Sequence, residues 1–223
     1  MIQQRVFVDA DVLYSACLRN WLFQMRISTP SMFQLYTTED VISETLSKLR
    51  DKNQRWSGGQ ITRIRAAIIE VFDEIVEDFD ESVEYQGADP NDFHVHAAAL
   101  SSEADMLLTC DTGLLNQPNA DELSYEAFHP DDFFILVNDS APLDVRSGTM
   151  EQLRYYIQRN GAKDTRLVDS LIAAGCPQFA EIVRIHLMDL AGALPRQDRR
   201  KLRRFERLKL QVSERGSVGE STW

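Results

Sequence analysis

The chain has 223 residues, 43% of them hydrophobic and 26% charged, and a formal net charge of −11. That length can bury a sizeable core and suits one domain with an appendage, and the composition is that of a globular protein. The negative charge excludes a protein that coats nucleic acid non-specifically, but not a nuclease with a local acidic metal site.

No stretch approaches the roughly 18 apolar residues of a membrane span. Met1-Ile-Gln-Gln runs into apolar sequence without a basic-then-apolar leader, so a cytoplasmic location is expected. Cys17, Cys110 and Cys176 are odd in number and widely spaced, as small buried hydrophobes are.

Val6-Phe-Val8 reads as a buried strand of a parallel sheet, ending in Asp9 and Asp11. In open α/β sheets ligands bind at the carboxyl ends of strands, so acids there are placed for chemistry. Apolar residues at 12, 13, 16, 17, 21, 22 and 25 predict a helix over Val12 to Met25, broken by Ser28-Thr-Pro-Ser31. Met32 to Tyr36 suits a second strand, and Thr37-Thr38 a helix cap. The helix that follows has Glu39 and Asp40 in its first turn, and Glu44 beside its apolar stripe.

Arg50 to Gly59 reads as a loop, Ile61 to Phe79 as a helix and Val83 to Tyr85 as a short strand. Asp89-Pro-Asn-Asp92 opens an alanine-rich helix, and Asp105 to Asp111 is a buried strand running into another acid, with Gly113 marking a turn. Phe133 to Val137 is read as a further strand. Alternating strands and helices predict a three-layer α/β/α domain with a mainly parallel sheet over 1–142. Beyond Ser140 to Gly148, which has the Pro and Gly of a boundary, strand signals stop. Helices near 150–157, 166–174 and 178–194 predict a small all-α domain over 149–210, before a flexible tail at 211–223. Residues 196–210 hold eight basic and two acidic residues, a basic arm of +6 on an acidic body.

Asp9 and Asp111 both follow apolar strands, whose ends share one edge in a parallel sheet. Asp92 opens the helix feeding the second of them, and Glu44 lies beside a buried helix face. Taken singly, each acid is an ordinary cap or surface residue. Clustered, like charges cost several kcal/mol unless a cation offsets them. Hard divalent cations take carboxylate oxygens, and acids with Mg²⁺ or Mn²⁺ suit phosphodiester hydrolysis.

Val8-Asp9-Ala-Asp-Val-Leu-Tyr-Ser-Ala16, Asp89-Pro-Asn-Asp92-Phe-His-Val-His-Ala-Ala-Ala-Leu100 and Ala104-Asp-Met-Leu-Leu-Thr-Cys-Asp111-Thr-Gly-Leu-Leu115 resemble the signature of PIN-domain ribonucleases over roughly residues 3–140. The helical C-terminal part resembles that of a subgroup of VapC-type toxins. The resemblance implies a Mg²⁺- or Mn²⁺-dependent endoribonuclease. Its catalytic acids would be Asp9, Glu44, Asp92 and Asp111, with Asp9, Asp92 and Asp111 toward the metal. Asp11, Ser15 and Thr109 would stand behind them as hydrogen bonders. It also implies a cognate antitoxin and a homodimer as partners. Asp11, where many members have Asn or Ser, and Gly113, where relatives often have an acid, depart from the pattern.

Two other readings stand beside this one. A PIN fold can persist as an inactive scaffold that binds RNA or protein. Asp9-x-Asp11 also resembles the nucleophile loop of haloacid-dehalogenase phosphatases, with Leu107-Leu-Thr109 as a second motif and Asp131-Asp132 as the final acid pair. That mechanism needs a Lys, and none occurs between Lys52 and Lys163. His94 and His96 lie about 200° apart on a helix and cannot share a metal, so one should face solvent and the other pack. In the basic arm, Leu202, Phe205 and Leu208 predict an amphipathic helix. Arg199, Arg203 and Arg204 would form a solvated face, an RNA contact or a protein interface.

Overall fold

The computed structural model describes residues 3–160 and 166–192. The basic arm with Arg199, Arg203 and Arg204, and the tail, lie outside the described residues. At the centre is a five-stranded sheet in the order β3-β2-β1-β4-β5, formed by β1 (Gln4–Val8), β2 (Phe33–Thr38), β3 (Glu74–Val76), β4 (Met106–Leu108) and β5 (Glu126–Phe128). Every pairing is parallel. Val6, Phe7 and Val8 of the central strand are wholly buried, which is why their sequence is a continuous apolar run. β2 lies on one side of β1 and β4 on the other, so the strand order reverses at β1 and opens a crevice beyond the ends of β1 and β4.

The predicted helix over 12–25 divides at Ser15 into α1 (Ala10–Tyr14) and α2 (Ala16–Ser28). Ser15 is extended; its N–H donates to Asp11 O and its hydroxyl accepts from Leu18 N, closing one helix and opening the next. A serine that can bond to nearby backbone competes with helix continuation. α3 (Glu39–Lys52) is capped by Thr38, whose hydroxyl accepts from Val41 N.

The helix expected to reach Phe79 stops sooner. α4 (Gly58–Val71) begins at the glycines expected to be loop, with a capping box from Ser57 and Gln60, and Glu74–Val76 is strand β3. Asp73 sets this change. Its carboxylate accepts from Leu35 N at 2.9 Å and pairs with Arg26, pinning the chain to the edge of β2. Val83 to Tyr85 pairs with no strand, since Tyr85 is drawn against Phe93 and His96. A single 3-10 turn, Pro90–Asp92, leads into α5 (Phe93–Ser101), whose buried Ala97, Ala98 and Ala99 pack closely on the core. Gly113 falls inside the short α6 (Thr112–Leu115).

Phe133 to Val137, expected as a strand, lies in helix α7 (Pro130–Ser140), and the strand beside β4 is Glu126–Phe128. A short apolar run does not by itself distinguish a buried strand from a buried helix. Here the flanks decide. His129 caps, Pro130 takes the first helical turn, and Asp131 and Asp132 meet the positive end of the dipole.

α8 (Pro142–Asn160) runs through the proposed boundary at 142–149 and packs on α2. A Cβ on Gly148 would stand 3.2 Å from Gln24 Cγ and Ser28 Oγ, so glycine permits the close approach. With α9 (Leu167–Ala173) and α10 (Pro177–Leu190), this helix joins the cluster of buried side chains that surrounds the sheet. Phe179 of α10 meets Trp21 edge-on at 5.1 Å and Phe134 at 5.2 Å. The buried Asp131 carboxylate accepts from Phe179 N at 2.7 Å and Gln178 N at 3.1 Å, tying α7 to the start of α10. No helix among the described residues is long and apolar enough to cross a membrane.

Because the sheet and the C-terminal helices share buried side chains, urea unfolding should give one transition, coincident by Trp fluorescence and far-UV circular dichroism. Phe179→Ala should shift that whole transition by about 3–5 kcal/mol. Two separate transitions, with only the later elements sensitive to Phe179, would show two independent domains.

Candidate active site

The Asp9 side chain begins where β1 ends, caps α1 and is 6% exposed. Its Oδ1 accepts from Ala10 N at 2.5 Å and its Oδ2 from the Thr109 hydroxyl at 2.7 Å. The same hydroxyl accepts from Asp111 N at 2.9 Å. Thr109, fully buried after β4, therefore ties the two strand ends together. Thr45 Oγ1 donates to Ala10 O and Thr37 Oγ1 to Val8 O, fixing the turn around Asp9 from α3 and β2.

Asp9, Asp11, Glu44, Lys48, Asp89, Asn91, Asp92, His94 and Asp111 line a cleft of about 480 Å³ with Val95. All four acids expected to be catalytic thus reach one cleft. Asp111 Oδ1 also caps α6 through Gly113 N and Leu114 N. A Cβ on Gly113 would stand 2.9 Å from Asp111 Oδ1 and 3.9 Å from Asp92 Oδ2. A side chain at this position would crowd the Asp111 carboxylate and only touch Asp92, so the glycine preserves the position of Asp111. Ser15 is placed as a helix cap. Asp11 pairs with Lys48.

Charge in the cleft is only partly offset. Burial pushes the Asp9 carboxyl up to about 6; the charges of Asp11 and Glu44 add to the push, and the hydrogen bonds from Thr109 and Ala10 oppose it. Burial, followed by the charges of Asp111 and Asp89, also raises Asp92.

Three residues that were not singled out as site residues stand among the acids. Tyr85, from the segment expected as a strand, reaches Asp92 Oδ2 with its hydroxyl at 3.5 Å. His94 holds Asn91 O through Nδ1, and its Nε2 is 3.7 Å from Glu44 Oε2. Lys48 pairs with Glu44 at 2.7 Å and Asp11 at 3.1 Å. The Lys48 signal was available in the sequence, since it follows Glu44 by one helical turn. As expected, the two histidines separate: His96 is buried and bonded to Tyr125 Oη and Glu84 O.

Among the described residues, no three His, Cys, Asp or Glu side chains form a ready cage for a metal ion. The donor chemistry nonetheless fits a hydrated hard cation. Asp9, Asp92 and Asp111 present carboxylate oxygens to one cleft, and Asp9 and Asp92 are held above their usual range by burial and the charges of neighbouring acids. Mg²⁺ keeps several waters and binds through one or two carboxylates, so it needs no cage. The phosphatase reading loses its final acid pair, because Asp131 is committed to the start of α10. Thr109 is likewise committed to Asp9.

A carboxyl whose folded pKa lies above its unfolded one stabilises the fold below the unfolded value, and that contribution is lost as pH rises through the folded one. For metal-free protein, the stability of wild type relative to Asp9→Asn should fall between pH about 4 and about 6, by up to about 3 kcal/mol. Urea midpoints of both proteins across that range measure it. A difference that does not change with pH would show that burial of Asp9 carries no such cost.

No curated protein and no solved structure was found to match the chain. Residues 5–113 match the family model described as PIN domain, and that span holds Asp9, Glu44, Asp92 and Asp111. The acidic cleft therefore lies within a segment similar to the PIN domains, which are in general nucleases that use divalent metals.

Proposed function

We propose that this chain is a Mg²⁺- or Mn²⁺-dependent endoribonuclease that cleaves RNA phosphodiester bonds, and that it serves as the toxin of a toxin–antitoxin pair. The observation that carries the nuclease reading is the meeting of Asp9 and Asp111, from the ends of adjacent parallel strands, with Asp92 and Glu44 in one cleft. Asp9, Asp92 and Asp111 would hold the cation. When bound, it would lower the pKa of an attacking water and offset charge on the leaving oxygen.

The residues of the chain prepare the site. Thr109 and Ala10 N fix both oxygens of Asp9, so its orientation is set before substrate arrives. Tyr85 does the same for one oxygen of Asp92. Glu44, partly exposed on α3, lines the same cleft, where it would orient water. The toxin role, a small antitoxin partner, a homodimer and a cytoplasmic location rest on the resemblance of the signature and of the C-terminal helices to VapC-type proteins. They belong to the same proposal, as does a part for the basic arm in holding RNA or a protein partner.

Purified protein should cut total RNA into discrete fragments with Mg²⁺ or Mn²⁺, and EDTA should stop it. Asp9→Asn and Asp92→Asn should each lower the rate on the order of 100-fold or more. In cells, wild-type expression should arrest growth and Asp9→Asn should not. Folded wild-type protein that binds RNA or protein equally well with or without metal, and without regard to Asp9, would instead be a scaffold.

A further inference from the structure

Lys48 occupies an unusual place for a base in an acidic cleft. Its Nζ lies 2.7 Å from Glu44 Oε1 and 3.1 Å from Asp11 Oδ1. It thereby joins an acid of α3 to one that follows β1. Burial opposes the charge on Lys48, but the two bonds and the charges of Glu44 and Asp11 together outweigh it, so the lysine stays charged there. Asp11 is also the acid by which this sequence departs from the pattern it resembles.

We propose that Lys48 is the resident second cation of this cleft: it holds Glu44 and Asp11 together so that the cleft takes a single divalent ion. This rests on the metal-dependent nuclease reading and deepens it. In two-metal sites the ions stand about 4 Å apart and share surrounding carboxylates. Here the oxygens on the Glu44 side are already bridged by an ammonium group. Because Lys48 is attached one helical turn from Glu44, the bridge carries no cost of bringing a cation from solution. A compact ammonium suits the position, having three donors and no need for the multidentate geometry of a metal. Asp9, Asp92 and Asp111, which Lys48 does not bridge, are left for the divalent ion. Lys48 is thus a positioning residue that acts through Glu44 and Asp11.

The test counts ions. The full chain is titrated with Mn²⁺ while free Mn²⁺ is read by electron paramagnetic resonance, with the Asp9→Asn/Asp92→Asn protein as baseline for loose surface binding. Wild type should saturate at one ion per chain above that baseline. Lys48→Met, at a half-exposed position that leaves the core intact, should take up two. Lys48→Arg should stay at one, and Asp11→Asn/Lys48→Met should return to one. Two ions in the wild type, or one ion in Lys48→Met, would overturn the proposal while leaving a metal-dependent nuclease standing. A folded wild type that binds no Mn²⁺ above baseline would overturn both.

Discussion

Burying a carboxylate between two parallel strands removes it from water, and the surroundings of Asp9 are arranged to compensate. Each of its oxygens receives a hydrogen bond, from Ala10 N and from Thr109. Those bonds do not cancel the cost, because burial and the neighbouring charges of Asp11 and Glu44 still raise its pKa to about 6. A site of this kind is fixed in position but incomplete in charge. The remaining imbalance is what a hard cation can satisfy.

The strand order gives the site its place. Since β1 has β2 on one side and β4 on the other, the crevice beyond their ends is open to side chains from several segments. Thr109 spans it with one hydroxyl, accepting from Asp111 N while donating to Asp9. Glu44 enters from α3 and Asp92 from the turn before α5. The four acids come from four stretches of sequence, yet none has to bridge a long gap, because each begins or flanks an element already fixed by the core.

The C-terminal helices act on this arrangement from behind. α8 packs along α2, and Phe179 of α10 lies between Trp21 and Phe134. α2 starts directly after α1, which Asp9 caps, so the packing that holds α2 also limits movement of the Asp9 turn. Asp131 fixes the start of α10 through two backbone N–H groups. The helices are thus joined to the nuclease-like part through a continuous core, and α8 carries the chain across the point where a Pro- and Gly-containing stretch suggested a boundary.

The sequence by itself determined the buried first strand, the Thr38 cap, the alanine-rich helix and the acids at strand ends, because each is signalled by near neighbours along the chain. An apolar run, a capping hydroxyl and a following acid are local features with local consequences. Tertiary structure alone decided the rest. Glu74–Val76 became a strand because Asp73 bonds to Leu35 N and Arg26, partners 38 and 47 residues away. Phe133 to Val137 has no period of its own to choose with; its flanks at His129, Pro130 and Asp131 favour a helix, and tertiary structure added the burial of that helix against Phe33 and Phe179. Tyr85 joined Asp92, and Lys48 joined Asp11, only once the folded chain brought them within reach. The acids could be read from the sequence because strand ends announce them, and so could Thr109 beside them and Lys48 one turn after Glu44; the contacts of Tyr85 with Asp92 and of Lys48 with Asp11 could not, because contacts between distant segments exist only after the sheet has formed.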